Sequence, residues 1–210
     1  MSLRPGAALL RLTAVLAWLG LGAQLAASMH LALASGRPAL AGALEAFGYF
    51  TVLTNLLVAL VSSACIAARP ALLTRAGVLA AVATYIFVVG LIYWLLLRAL
   101  WAPTGLQRMA DVLLHDAVPL LYVTWWLGWG PRGRFSRGQP LLWLAWPLAY
   151  FVFSLARGAL TGRYLYPFAD VGALGIPAVA RNGALLLALF TLLGLGAVAL
   201  DRARRPAPAA

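Results

Sequence analysis

The sequence predicts an all-α, polytopic membrane protein built as a six-transmembrane-helix bundle. Hydrophobic residues make up 64% of its 210 residues and charged residues only 10%, whereas a soluble domain averages about 45–50% apolar and about 25% charged residues. Apolar runs recur along the chain, and a helix needs about 20 such residues to cross a bilayer. The runs are separated by short segments rich in Pro, Gly and Arg, so residues 1–210 are expected to form a single integral membrane domain.

The six predicted spans lie at about residues 12–33, 47–67, 77–100, 112–129, 141–155 and 176–200. The first apolar run exceeds twenty residues, longer than the roughly 7 to 15 of a cleavable secretory signal, so we expect it to stay in the protein. The second contains the only cysteine, Cys65, which therefore cannot form an intramolecular disulfide. In the fourth, Pro119 is expected to kink the helix and to free a backbone carbonyl.

The orientation prediction depends on arginine, because all sixteen basic residues are Arg. One predicted side carries ten of them: Arg4, Arg11, Arg69, Arg75, Arg132, Arg134, Arg137, Arg202, Arg204 and Arg205. The other side carries six: Arg37, Arg98, Arg108, Arg157, Arg163 and Arg181. The positive-inside rule then places both termini in the cytoplasm of a protein of the cell membrane. Since the arginines lie singly or in small groups at span ends, the net charge of +11 does not indicate nucleic acid as a partner.

The few residues able to do proton chemistry fall mostly on one predicted side. Only five acids and two histidines exist. Six of these seven lie toward the non-cytoplasmic side, namely His30, Glu45, Asp111, His115, Asp116 and Asp170, while Asp201 lies beside the basic tail. An ionisable group inside a span is costly and is by default a functional hypothesis, so His115 is the leading candidate.

The helical rise connects His115 with the second span. Asp111 lies four residues before it and so on the same helical face. Thr51 and His115 would lie at similar depth, roughly 8 to 10 Å below one surface, at about 1.5 Å per residue. Thr54 and Asn55 share the segment with Thr51. A threonine in a span usually bonds to its own helix and an asparagine usually joins two helices, so packing and chemistry both remain open for these three residues.

A third feature is the segment RGALTGRYLYPFAD, residues 157–170. Its alternating aromatic residues suit an interfacial anchor. The functional alternative is a lid in which Arg157 or Arg163 attracts a substrate carboxylate and Asp170 reaches the cluster. No phosphate-binding glycine loop, paired CxxC, HExxH or GxSxG is present in the sequence, so no cofactor and no metal are expected.

Three motifs together resemble the androgen-induced and androgen-dependent family of integral membrane proteins, in its bacterial form. They are YFTVLTNLL at 49–57, LLHDAVPLLYV at 113–123, and WPLAYFVFSLARG followed by RYLYPFAD within 146–170. The resemblance covers about residues 8 to 201. It implies a membrane hydrolase that cleaves fatty acid esters of hydroxy fatty acids with a Thr nucleophile, here Thr51 with Thr54 in reserve, and His115. Asp116 departs from the pattern, where an aromatic or uncharged residue is expected.

The resulting expectation is a hydrolase of lipid esters near the non-cytoplasmic face, with the membrane lipid or lipid ester as its partner. A threonine hydroxyl needs a base within hydrogen-bond reach, and His115 would be that base. Asn55, Tyr166 or a freed backbone amide would stabilise the oxyanion. The alternatives are a small proton-coupled carrier, in which His115, Asp111 and Glu45 form a relay, and a non-catalytic lipid-binding protein.

Overall fold

The computed structural model describes residues 5–69, 72–133 and 135–204, and all regular structure within them is helical. This confirms the all-α prediction. Arg4, Arg134 and Arg205, which the orientation prediction counts, lie outside the described residues. The chain divides into two compact units, Met1–Pro131 and Arg132–Ala210, each of which is described by itself.

Four helices are long and apolar enough to cross a membrane: Pro5–Ala34, Ala76–Leu100, Gln139–Thr161 and Ile176–Ala203. A fifth span results if the bent pair Ala39–Ala46 and Phe50–Ile66 counts as one. These helices support an integral, multi-pass membrane protein, but the predicted count of six spans is not confirmed. The orientation of the termini stays a prediction.

The second predicted span, 47–67, starts in a break between two helices, and its helical part is residues 50–66. Helix α1 (Pro5–Ala34) is followed by the short α2 (Ala39–Ala46), and α3 (Phe50–Ile66) begins after a three-residue break. The axes of α2 and α3 differ by 77°. Gly48 lies in this break, and glycine is a poor helix former. Thr51 therefore occupies the first turn of α3.

The fourth predicted span, 112–129, lies in a helical stretch made of α5 (Gly105–Val112), a π-helical turn and α6 (Val118–Trp129). This stretch is not among the four helices apolar enough to cross a membrane. The reason is its composition, because His115, Asp116 and Pro119 interrupt the apolar residues. Helix α4 (Ala76–Ile92) continues through another π-helical turn, Tyr93–Leu97, to Leu100.

Small residues allow the helices of the first unit to approach closely. An added Cβ at Gly42 of α2 would collide with the backbone carbonyl of Ser28 in α1. A Cβ added at Gly20 of α1 would lie 2.8 Å from the side chain of Leu114, in the π turn 113–117. Helix α1 thus packs directly against both α2 and the π turn that contains His115, in the way small residues allow in membrane bundles.

The second unit contains α7 (Gln139–Trp143), α8 (Ala145–Thr161), α9 (Val171–Leu174) and α10 (Ile176–Ala203). The fifth predicted span, 141–155, is thus longer than expected, since α7 and α8 together cover Gln139–Thr161. Near the end of α10, the buried carboxylate of Asp201 accepts a hydrogen bond from the Gly133 amide at 3.1 Å. This contact fixes the start of the unit to its last helix.

Candidate functional site

A polar cluster of Tyr93, Asp111 and His115 lies inside the first unit. The Tyr93 hydroxyl donates a hydrogen bond of 2.6 Å to Oδ2 of Asp111. The Tyr93 and His115 rings are stacked, with centroids 4.1 Å apart and planes inclined by 17°. Asp111 and Tyr93 are each only 2% exposed. An ionisable pair held this deeply needs such partners, because an isolated buried charge is strongly unfavourable.

The contacts of the His115 ring define which nitrogen carries the proton. Its Nδ1 lies 3.1 Å from the backbone carbonyl oxygen of Asp111 and 3.1 Å from Oδ1 of the same residue. Only the carbonyl contact has hydrogen-bond geometry, since Oδ1 has no hydrogen-bond partner. A carbonyl oxygen can only accept, so Nδ1 carries hydrogen. In the neutral imidazole Nε2 is then the acceptor, and no described residue hydrogen-bonds to it.

Two π-helical turns bring these residues together. The first π turn, Tyr93–Leu97, begins with Tyr93, and the second π turn, Leu113–Ala117, has His115 at its centre. At Gly90, one turn before Tyr93, an added Cβ would lie 3.3 Å from the His115 carbonyl oxygen and from Pro119. The two turns are therefore in close contact. Single π turns inside helices are rare and occur frequently at functional sites.

Asn55 connects the Thr51 segment to the second π turn. Its side-chain amide donates to the backbone oxygen of Thr51 at 2.9 Å and to that of Leu114 at 3.1 Å. Asn55 is completely buried, and its Oδ1 has no hydrogen-bond partner among the residues that the structure describes. One amide group thus holds the first turn of α3 against the residue that precedes His115.

In the described part of the chain, the hydroxyl of Thr51, like that of the exposed Thr124, lacks a hydrogen bond that several other helical threonines make. Four of them bond to the carbonyl oxygen four residues earlier, at 2.8 to 3.1 Å: Thr13, Thr84, Thr161 and Thr191. Among the described residues, the Thr51 hydroxyl has no such partner and makes no hydrogen bond to His115. Thr51 is 9% exposed, whereas Thr54 is fully buried and engaged in an interaction of its own. Thr51 is therefore the hydroxyl left available.

Asp116 belongs to a separate, more exposed cluster. Its Oδ1 accepts a hydrogen bond of 2.6 Å from Nε1 of Trp94 and lies 3.9 Å from the guanidinium of Arg98. The guanidinium carbon lies 3.8 Å from the Trp94 ring centroid, a cation–π contact. The carboxylate directly after the histidine thus connects the two π turns a second time.

Glu45 and His30 are two further titratable residues of the predicted non-cytoplasmic side. Glu45 forms a two-pronged salt bridge with Arg37 at 2.6 and 3.2 Å, and this bond raises the pKa of Arg37. Within the described residues, no group of three His, Cys, Asp or Glu side chains is arranged to hold a metal ion. The chain's acids thus serve separate local contacts.

The remaining predicted residues lie in the second unit. The Arg157 guanidinium donates to the backbone oxygen of Arg163 at 3.2 Å. Tyr166 is buried and stacks on Phe168, with ring centroids 5.1 Å apart. Asp170 caps α9 by accepting from the Ala173 amide at 3.0 Å. The segment is therefore an ordered turn, and a role for these residues at the polar cluster stays a prediction.

Sequence reasoning missed Tyr93 and Trp94. Both come from another helix, and tyrosine in an apolar run reads as an interfacial or packing residue. A usable signal was available, because a buried tyrosine hydroxyl usually needs a hydrogen-bond partner. The nearest unexplained acids in the sequence were Asp111 and Asp116.

The chain was compared with family models, curated proteins and solved structures, and none of them matches it. The resemblance drawn from the three motifs therefore stays an expectation.

Proposed function

We propose that this protein is an integral membrane hydrolase that cleaves lipid esters, with Thr51 as nucleophile and His115 as base. The observation that carries the proposal is the geometry of His115: Nδ1 lies 3.1 Å from the Asp111 carbonyl oxygen, so Nε2 is the ring atom that would accept the Thr51 proton. The motif resemblance adds the chemical class, the esters of the androgen-induced and androgen-dependent family. The direct hydrogen bond that the reaction needs would form on substrate binding, as it often does in hydrolases.

The proposed reaction proceeds in two halves. The Thr51 oxygen attacks the ester carbonyl while its proton passes to Nε2 of His115, and the resulting tetrahedral intermediate expels the alcohol, which takes that proton. Water then loses a proton to Nε2 and attacks the acyl-threonine ester. The carboxylic acid leaves and the proton returns to the Thr51 oxygen. Asp111 and Tyr93 hold the imidazole in place through both halves and do not touch the substrate.

Asn55 is a positioning residue in this scheme. Both amide hydrogens point toward backbone carbonyls, those of Thr51 and Leu114, so they are not available to an oxyanion. The backbone N–H of Thr51, in the first turn of α3, is the better donor, because the first N–H groups of a helix have no intrahelical acceptor. The roles predicted for Tyr166 at the oxyanion, and for Arg157 and Arg163 at a substrate carboxylate, stay predictions.

The proposal is tested by labelling the purified protein in detergent with a fluorophosphonate probe. We expect labelling of wild type and of Thr54→Ala, but not of Thr51→Ala or His115→Ala. Thr51→Ser should retain ester hydrolysis and Thr51→Val should abolish it, since only the hydroxyl is required. Full turnover by Thr51→Val would exclude Thr51 as the nucleophile.

The second candidate is a proton-coupled carrier, which the buried Tyr93–Asp111–His115 cluster favours. Ionisable groups in membrane segments often form proton relays. A carrier needs Asp111 and His115 but not the Thr51 hydroxyl. Proton flux into proteoliposomes that is lost in Asp111→Asn and kept in Thr51→Val would support the carrier over the hydrolase.

A further inference from the structure

We propose that a groove on α1 binds one hydrocarbon chain of the substrate and that the absence of a side chain at Gly22 leaves room for that chain. The inference rests on the proposed function and adds the acyl-chain site to it. The apolar groove has a volume of about 210 Å³ and is lined by Trp18, Leu21, Gly22, Leu25, Ala46, Phe47, Val52 and Leu56. The one polar side-chain group among these residues, the Trp18 indole N–H, already donates to Ser63 at 3.2 Å, so the groove offers little to a polar ligand.

The groove begins beside the proposed nucleophile. Ala46 and Phe47 lie at the bend before α3, and Val52 and Leu56 form one row along α3. Thr51 and Asn55 form the neighbouring row, displaced by one residue, which is about 100° around a helix of 3.6 residues per turn. The row of Thr51 faces the second π turn, as the Asn55–Leu114 hydrogen bond demonstrates. An ester at Thr51 would therefore have the groove as the adjacent apolar surface.

Helix α1 forms the other wall. Its residues Trp18, Leu21, Gly22 and Leu25 have the spacing of a single helical face, near the middle of a helix long and apolar enough to cross a membrane. At that depth the surrounding medium is hydrocarbon. The occupant is for that reason a lipid chain instead of a protein segment, and it can enter sideways from the bilayer because Gly22 is exposed.

The size of the groove fits a segment of a chain and not a whole lipid. An engineered apolar cavity of about 150 Å³ binds benzene, so about 210 Å³ accommodates roughly eight carbons. An added Cβ at Gly22 meets no atom within 4 Å. A larger side chain at this position would fill the groove without disturbing the fold.

The experiment combines a binding assay and a turnover assay. A hydrolysis-resistant ether lipid carrying a diazirine on its long chain is irradiated with the Thr51→Ala protein, and the crosslinked peptides are mapped. We expect crosslinks at residues 18–25 and 52–56 that Gly22→Leu removes. The matched control is Gly196→Leu, since Gly196 is also an exposed helical glycine with no atom within 4 Å of an added Cβ. The turnover assay uses protein in which Thr51 is intact. There, Gly22→Leu should lower the ratio of long-chain to short-chain nitrophenyl ester hydrolysis by roughly tenfold or more, and Gly196→Leu should leave this ratio unchanged.

The two proposals fail in different ways. Crosslinks spread over the exposed face of α1 and unaffected by Gly22→Leu would overturn the acyl-chain site, whether or not the protein hydrolyses esters. Groove crosslinks that Gly22→Leu removes, in a protein that hydrolyses no ester, would support the chain site and overturn the hydrolase. An active enzyme whose chain-length ratio is the same in Gly22→Leu and Gly196→Leu would refute the role of Gly22.

Discussion

Replacing Asn55 by Ala is the sharpest test of how the first unit is held together. The substitution removes two buried hydrogen bonds, of 2.9 Å to Thr51 and 3.1 Å to Leu114. Side-chain hydrogen bonds between membrane helices contribute about 0.6 kcal/mol on average and about 1.7 kcal/mol at most. Two of them amount to about 1–3 kcal/mol, which lowers the Tm of a chain of this size by roughly 3–10 °C.

The assay is thermal unfolding in detergent, followed by a fluorogenic maleimide that reacts with Cys65. This is the only cysteine in the chain and is partly buried in α3, the helix that carries Asn55. The matched control is Asn182→Ala in the second unit, where the amide makes one hydrogen bond of 2.9 Å, to the Phe168 carbonyl. We expect the control to lower the Tm by about half as much or less.

Asn55→Asp adds a dependence on pH. A carboxylate would face two carbonyl oxygens and could donate to neither, whereas a protonated carboxyl regains one hydrogen bond. The folded state then prefers the protonated acid, so the Tm of this variant should fall as the pH rises. If Asn55→Ala has the Tm of wild type, or lowers the Tm by less than Asn182→Ala does, Asn55 does not hold α3 against the second π turn.

Two further predictions concern the polar cluster and the packing of α1. Tyr93→Phe keeps the ring but removes the hydroxyl donor that lies 2.6 Å from Asp111. Hydrogen bonds to charged groups contribute about 1.5–3 kcal/mol, so the Tm of this variant should fall by several degrees. A Tm equal to that of wild type would mean that the carboxylate does not need this donor. Gly42→Ala places a methyl against the Ser28 carbonyl and should cost about 1–3 kcal/mol. The control Gly22→Ala, which meets nothing, should unfold at or slightly above the wild-type temperature, and equal stability of the two variants would exclude the close approach of α2 to α1.

Composition and short-range spacing predicted part of this molecule well. The apolar runs predict helices, and helices are what the described residues form. The spacing of four residues between Asp111 and His115 predicts that they share a face, and Nδ1 of His115 does lie 3.1 Å from Oδ1 of Asp111. Both inferences use distances along one helix, which the sequence contains directly.

Spacing along the sequence could not predict the contacts between helices. Tyr93 lies 18 residues from Asp111 along the chain, and an apolar pattern without a polar face does not specify how a helix is rotated. The bend before Thr51 was missed because the apolar run continues through Phe47–Tyr49, while the chain turns by 77°. Hydropathy averages over such a break, and only Gly48 marks it in the sequence.

The paired π turns imply that this site depends on the number of residues as well as on their identity. Each π turn accommodates one residue more than an α-helical turn would. Deleting a single residue within Leu113–Ala117 would restore a regular helix and keep α5 and α6 in register. Its effect would therefore fall on the widened turn itself, and on the position of the His115 ring beside Tyr93, while both side chains stay in the sequence. A scan of point substitutions would not reveal this dependence, whereas a scan of one-residue deletions would. The same arithmetic predicts that homologous chains with this cluster keep the distance between Asp111 and Pro119 free of insertions and deletions.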